Sequence, residues 1–268
     1  MMARSLARSL RDRHGGPKGL AIRRLAAAPR AILRVALGGT RRAAWIGLLL
    51  TAGAACAQPS LFGPSGLLSI PTAEVQPYSS FSLGANWVDQ NHRGGAWGGG
   101  TMAQFMTVGV APNLELSLCA TNINGRLGLQ EWRTPDGGGY SIDRMASVQW
   151  RVAGAGRGPA LAVGSQDFVG TGDLGPGTSN RLYRANYAVA SARLGRVGVH
   201  AGIGTGRLRG AFGGVECPLG PRLTLLADHD ARFTNAGLRI AVAPRIGVDV
   251  ALMGLNALGG GITYSRAM

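Results

Sequence analysis

Asp228, His229 and Asp230 stand side by side in the segment Leu225–Ile240, and no other cluster in the chain looks more like a metal or catalytic site. A carboxylate can orient an imidazole, and metal sites use both groups. Successive residues of a strand point to opposite faces, however, so only Asp228 and Asp230 could share a direction. We therefore predict a polar cluster at a strand end, with no metal and no cofactor.

A second candidate pair is Ser191 and His200, a nucleophile and a base of the kind that some membrane-embedded hydrolases carry on their outer wall. Neither residue has a recognisable nucleophile context. The glycine strings 98–100 and 202–206 resemble phosphate-binding loops only superficially, because a dinucleotide motif requires a strand that leads into a helix. We predict no catalytic residue and a protein that is not an enzyme, with a lipid-modifying enzyme as the least favoured alternative.

The elements that must position these residues are strands. Segments of about nine residues alternate apolar with polar or glycine residues; in Arg144–Val152, for example, Trp150 lies on the face opposite Gln149. No apolar run of 18 residues occurs beyond residue 57, so no membrane helix is expected there. The predicted strands are 80–88, 101–110, 113–121, 144–152, 159–167, 184–193, 197–204, 210–217, 222–229, 234–242, 246–253 and 257–265.

The connections between these segments alternate between long and short. Residues 90–100, 122–143 and 168–183 are long, whereas Ala111–Pro112 and Leu194–Arg196 are tight turns. Outer-membrane barrels have an even number of strands, short periplasmic turns and longer external loops. We predict an all-β protein: a single antiparallel transmembrane β-barrel of about twelve strands. A soluble β-sandwich is the alternative.

Charged residues on the polar faces should then line the interior of the barrel. A water-exposed lumen tolerates charges that a dry sandwich core would not. The interior could be a narrow channel, or opposed charges could pair and fill it. The candidate lumen-facing residues are Glu115, Arg151, Glu216, Asp228, Arg239 and Asp249.

The first 57 residues hold 11 Lys/Arg and one acid, whereas the remainder holds 17 Lys/Arg and 12 acids. Most of the basicity is thus confined to a leader, which argues against nucleic-acid binding. Arg41 and Arg42 precede a short apolar run that ends in a small-residue motif, so we predict a signal peptide cleaved between Ala57 and Gln58. Residues 1–34 fit no signal peptide, and we interpret them as a start-site artefact, with a genuine extension as the alternative.

Cleavage would leave two cysteines, Cys119 and Cys217. A disulfide is possible in an exported protein, but two unrelated strand residues are favoured. Residues 58–79 precede the first clear strand and could form either a further strand or a segment tucked into the lumen, with Pro71 arguing against a central strand. The predicted organisation is a leader (1–57), this initial segment (58–79) and a barrel (80–268).

Three stretches carry a resemblance to a known family. They are Gly66–Trp87, GLLSIPTAEVQPYSSFSLGANW; Gly164–Gly172, GSQDFVGTG, which is followed by Ala185–Gly195 and Gly202–Leu219; and Leu225–Ile240, LLADHDARFTNAGLRI. Together they resemble the YjbH-like outer-membrane proteins associated with exopolysaccharide. The chain is shorter than the larger members, with room for one barrel, and it ends in Ala267-Met268 where many barrels end on an aromatic residue.

The resemblance implies an outer-membrane barrel that supports production, export or surface anchoring of an extracellular polysaccharide. A structural or adhesive barrel without transport is the alternative. The implied partners are outer-membrane lipid, the barrel-assembly machinery, and the polysaccharide with its export proteins.

Overall fold

The computed structural model describes residues 57–89, 100–123, 142–154, 158–169 and 183–268. Twelve strands make up most of these residues, and each lies within two residues of a predicted strand. The leader, the connection residues 90–99, 124–141 and 170–182, and the predictions made for them lie outside the described residues. The strands are β1 Ser80–Val88, β2 Thr101–Ala111, β3 Leu114–Ile123, β4 Ile142–Ala153, β5 Ala160–Gln166, β6 Ala185–Leu194, β7 Val197–Gly204, β8 Gly210–Pro218, β9 Leu223–His229, β10 Thr234–Ala243, β11 Ile246–Met253 and β12 Ala257–Ala267.

The strands close into one antiparallel barrel. Each strand pairs with its neighbours in the chain, and β1 closes the sheet by pairing with β12 over its whole length, from Ser80 opposite Ala267 to Val88 opposite Gly259. Closure pairs the backbone groups that the edge of an open sheet would leave free. The predicted all-β, single antiparallel barrel of twelve strands is therefore confirmed, and the sandwich alternative is wrong.

Tight turns join the strands at one end of the barrel, which we call the turn end. Asn113 sits between β2 and β3 with φ of 67°, and Gly195 sits between β6 and β7 with φ of 63°. These are residue types that tolerate left-handed backbone at low cost. The long connections join the strands at the opposite end, which we call the loop end.

Alternation gives the wall two different faces. Many outward side chains are large and apolar, and Leu118, Trp150 and Ile203 keep 55%, 53% and 67% of their surface exposed. Inward side chains include many buried polar groups such as Ser117, Gln149 and Asn235. This is the apolar-out, polar-in pattern of a barrel surrounded by lipid. No helix among the described residues is long and apolar enough to cross a membrane.

Residues 58–79, which we call the plug, lie inside the barrel. Leu61, Leu68 and Ile70 have no exposed surface, although they belong to no strand. The plug forms only isolated bridges, and one of them joins Tyr78 to Gly109 of β2 where the chain leaves the lumen. A side chain at Gly109 would collide with the carbonyl of Pro77. Of the two predicted alternatives for this segment, the lumenal one is confirmed.

Candidate functional site

The plug is folded into two tight turns. In the first, the amide of Ser60 donates to the carbonyl of Pro64 at 2.8 Å, and Gly63 supplies a φ of +107°. In the second, the amide of Leu67 donates to the carbonyl of Ile70 at 3.0 Å, which leaves Leu68 and Ser69 at the tip. Because the plug contains no helix or ladder, much of its backbone must find hydrogen-bond partners on the wall.

Asp228 of β9 binds the tip of the second turn. One carboxylate oxygen accepts the amides of Leu68 at 2.9 Å and Ser69 at 2.8 Å. The other accepts the side-chain amide of Asn235 at 2.7 Å and the hydroxyl of Ser69 at 3.1 Å. Asp228 is 3% exposed, so four donors satisfy a buried anion without a cation.

Glu115 of β3 binds the plug at two points that are distant in its sequence. Its carboxylate accepts the amide of Ser65 at 2.8 Å and the amide of Gln76 at 2.7 Å. The hydroxyl of Ser65 donates to the same carboxylate. One buried carboxylate therefore ties the middle of the plug to its exit.

Arg239 of β10 and Asp249 of β11 face each other across neighbouring strands. The guanidinium donates to both carboxylate oxygens, at 2.9 and 3.0 Å. It also donates to plug carbonyls, at 3.0 Å to Pro59, 3.3 Å to Leu67 and 3.4 Å to Gly66. The predicted pairing of opposite charges occurs here, but the arginine of this pair also binds the plug.

Arg207, in a single turn of 3₁₀ helix at Gly206–Leu208, binds the plug near the loop end. It donates to the carbonyl of Ser69 at 2.7 Å and lies 3.6 Å from Asp230. Its guanidinium also covers the ring of Phe62, 5.5 Å from the centroid. The cluster predicted around Asp228 and Asp230 thus exists and holds the plug, while His229 points outward.

Ser191 and His200 form a hydrogen-bonded pair, with the hydroxyl oxygen 2.8 Å from Nδ1. Both are buried in the lumen, so the outer-wall placement considered for them is wrong. The serine hydroxyl also accepts the amide of Ala73 at 2.7 Å. The plug backbone therefore lies directly against the oxygen that a nucleophilic serine would use for attack.

Amide and hydroxyl side chains of the wall also contact the plug. Gln149 donates to the carbonyls of Thr72 and Glu74 at 3.0 and 2.7 Å, and it accepts the hydroxyl of Tyr187 at 2.7 Å. Two further contacts are Asn86 to the carbonyl of Leu61 and Thr107 to the carbonyl of Gly63.

The last two predicted lumen residues lie near the turn end. Glu216 accepts a hydrogen bond from Arg193 at 3.0 Å, and Arg193 lies 3.7 Å from Glu74 of the plug. Arg151 donates to the side chain of Asn113 at 2.6 and 3.0 Å. Burial and the nearby Glu216 raise the pKa of Glu74, while Arg193 and Arg151 oppose that shift. Glu74 should therefore take up a proton at a higher pH than an exposed glutamate.

All six predicted residues thus lie on the inner side of the wall. Asp228, Glu115 and Arg239 contact the plug, Asp249 binds Arg239, and Arg151 and Glu216 bind other wall residues. Sequence analysis missed Gln149, Asn235 and Arg207. Gln149 and Asn235 lie on the inner faces of their strands. A search of the polar faces for amide side chains as well as charged ones would have found them. Arg207 lies between strands, where alternation gives no signal.

Cys119 and Cys217 are not joined to each other by a disulfide. Among the described residues, no group of three or more His, Cys, Asp or Glu side chains is placed to hold a metal ion.

Replacing Arg239 with lysine should loosen the plug. A lysine has one compact donor group, so it cannot span both Asp249 oxygens and the plug carbonyls. We expect amide hydrogen exchange in residues 59–67 of the refolded protein to speed up by about tenfold, equivalent to about 1.4 kcal/mol. Arg193→Lys is the matched control, because the ion pairs of Arg193 are more exposed and should contribute little. Equal exchange in the two variants would contradict this role for Arg239.

Comparison with solved structures finds barrels of low similarity. Outer membrane phospholipase A from Escherichia coli is 13% identical, with 72% of this chain and 92% of that chain covered and a TM-score of 0.39. A mutant porin of Rh. blastica is 13% identical, with 62% and 55% covered and a TM-score of 0.30. This chain thus spans about half the length of that porin. The N-terminal β-barrel domain of Pseudomonas aeruginosa OprF is 8% identical, with 71% and 100% covered and a TM-score of 0.26.

No curated protein matches this chain in sequence. Residues 59–266 match the YjbH family, described as "Exopolysaccharide biosynthesis protein YbjH". The match includes nearly all of the plug and all but the end of β12. The chain belongs to the YjbH exopolysaccharide biosynthesis family.

Proposed function

We propose that this chain is an outer-membrane β-barrel, filled by its own plug, that supports production, export or surface anchoring of an extracellular polysaccharide. The observation that carries the polysaccharide role is the family match over 59–266. The membrane location is supported by the closed sheet and by its apolar outer face. The leader would direct export and would be cleaved between Ala57 and Gln58.

The filled lumen supports a role without catalysis and without a permanently open pore. The plug covers Ser191, and it buries apolar side chains such as Leu61 and Ile70 against the wall. An assisting role, in which other proteins move the polymer and the barrel anchors or receives it, fits this interior better than a water-filled channel does. The partners would be the polysaccharide, its export proteins and the barrel-assembly machinery.

The same filled lumen favours the second candidate, a structural or adhesive barrel that takes no part in polysaccharide production. Deleting the gene distinguishes the two. We expect the amount of surface polysaccharide to fall several-fold in the deletion strain and to return when the full chain is supplied. An unchanged amount of polysaccharide together with reduced surface adhesion would support the second candidate and contradict the first.

A further inference from the structure

Exposed arginines stand along one side of the barrel mouth at the turn end. Three successive tight turns, at residues 195–196, 219–222 and 244–245, each carry one of them: Arg196, Arg222 and Arg245. We call these three residues the basic rim. The rim is separate from the contacts that hold the plug, and neither the family description nor the proposed function assigns it a role.

The strand register places Arg222 on the inner face of the sheet. The amide of Ala241 donates to the carbonyl of Arg222 at 2.8 Å, so the two residues are neighbours across β9 and β10. Ala241 lies opposite Gly247, and a Cβ at Gly247 would stand 3.9 Å from the side-chain oxygen of Gln58 in the plug. Ala241 and Arg222 are nevertheless exposed. The mouth of the lumen is therefore open to water beside Arg222, which does not face the lipid.

The positive charge of the rim is not neutralised by its surroundings. Arg193, at the end of β6, lies 3.0 Å from Glu216 and 3.7 Å from Glu74. The three arginines of the rim, by contrast, form no ion pair with any residue that the structure describes. Cations that share one side of an opening raise the local concentration of anions there. The basic rim thus favours a ligand that brings negative charge of its own.

The spacing of the rim indicates a polymer rather than a small anion. Successive tight turns at this end are two strands apart, and neighbouring strands are about 4.8 Å apart, so the three arginines stand on turns roughly 10 Å from one another. A small anion contacts one arginine at a time. A chain with repeated carboxylates contacts several arginines at once and gains avidity, and the planar guanidinium group matches the geometry of a carboxylate.

The placement of the rim and the family match together identify the class of polymer. The family is one of exopolysaccharide biosynthesis, and short turns place this end of a barrel in the periplasm. Anionic phospholipid headgroups would be reached by an outward residue such as Arg266 rather than by Arg222 on the inner face. We propose that the basic rim binds an acidic polysaccharide, one that carries carboxylate groups, from the periplasmic side. This inference rests on the proposed polysaccharide role and names the class of polymer.

Binding of alginate, a polymer of uronic acids, tests the proposal on protein purified from membranes of cells that express the full chain. We expect alginate to bind, and the combined variant Arg196→Gln, Arg222→Gln and Arg245→Gln to bind it about tenfold more weakly. Arg222→Gln alone, with an expected loss of about threefold, serves if the combined variant fails to fold. Measurement at physiological ionic strength limits the influence of distant charges.

The matched control removes the same charge from three exposed arginines outside the rim, in the combined variant Arg209→Gln, Arg232→Gln and Arg266→Gln. It should change alginate binding by less than about twofold. The proposal is overturned if the rim variant binds alginate as the parent does, or if the control weakens binding equally. It is also overturned if poly-glutamate binds more tightly than alginate, or if phosphatidylglycerol added to the detergent micelles displaces alginate.

The gene deletion separates failure of this inference from failure of the proposed function. If surface polysaccharide falls in the deletion strain but the protein does not bind alginate, only the role of the basic rim is refuted. If surface polysaccharide is unchanged in the deletion strain, the proposed function itself fails.

Discussion

A variant that lacks residues 59–76 should conduct ions across a planar bilayer, whereas the intact chain should pass no steady current. The intact lumen is filled by plug side chains such as Leu67 and Leu68, which are at most 1% exposed. Without them, Glu115, Asp228 and Arg239 would face an empty twelve-stranded lumen, which is wide enough for a narrow water-filled channel. Single-channel recording of the two refolded proteins, after insertion has been verified, measures the difference.

A peptide of residues 58–79 provides the matched control for this experiment. Added at the turn end, it should block the current of the deletion variant, whereas a scrambled peptide of the same composition should not. A shifted electrophoretic mobility on heating verifies that the deletion variant has kept its barrel. A variant that is folded, inserted and silent would show that the plug is not what closes the lumen.

The strands of the wall were predictable from sequence because the alternation of apolar and polar residues is visible within each strand. A strand sends successive side chains to opposite faces, so the segment around Trp150 and Gln149 reveals both its element and its two faces without knowledge of its partners. The alternation of long and short connections then fixed the pairing of neighbours. The one pairing that the connections do not give is that of β1 with β12, which closes the barrel. An even number of strands allows this last pair to be antiparallel as well.

The plug was not predictable to the same degree, because the residues that hold it in place are distant from it in the sequence. Glu115 accepts an amide 50 residues away, and Asp228 accepts amides 159 and 160 residues away. Alternation gives the direction of these two carboxylates but not what they bind. Their partners are backbone amides, which every residue except proline possesses, so side-chain chemistry gives no signal for the pairing.

Charged side chains of the barrel form hydrogen bonds with the irregular backbone of the plug. At the second turn of the plug, Asp228 accepts the amides of Leu68 and Ser69, while Arg207 donates to the carbonyl of Ser69. Arg239 donates to the carbonyl of Pro59, which precedes the first turn of the plug, and to the carbonyl of Leu67, which follows that turn. Carboxylates of the barrel accept hydrogen bonds from plug amides, and arginines of the barrel donate hydrogen bonds to plug carbonyls. The plug therefore accounts for the charges of Asp228, Arg207 and Arg239 in the lumen.

Asp228→Asn should accordingly lower the free energy of unfolding by about 1–3 kcal/mol, the cost of leaving a buried donor without an acceptor. An asparagine places an amide group either against the donors of Leu68 and Ser69 or against the donor of Asn235, so two donors must face each other in both orientations. Urea unfolding of the refolded protein in vesicles measures the loss. Glu216→Gln is the matched control, because that carboxylate pairs with an arginine whose side chain is 35% exposed, and its loss should stay below about 1 kcal/mol. Equal losses in the two variants would mean that Asp228 is only one lumen charge among several and not the anchor of the plug.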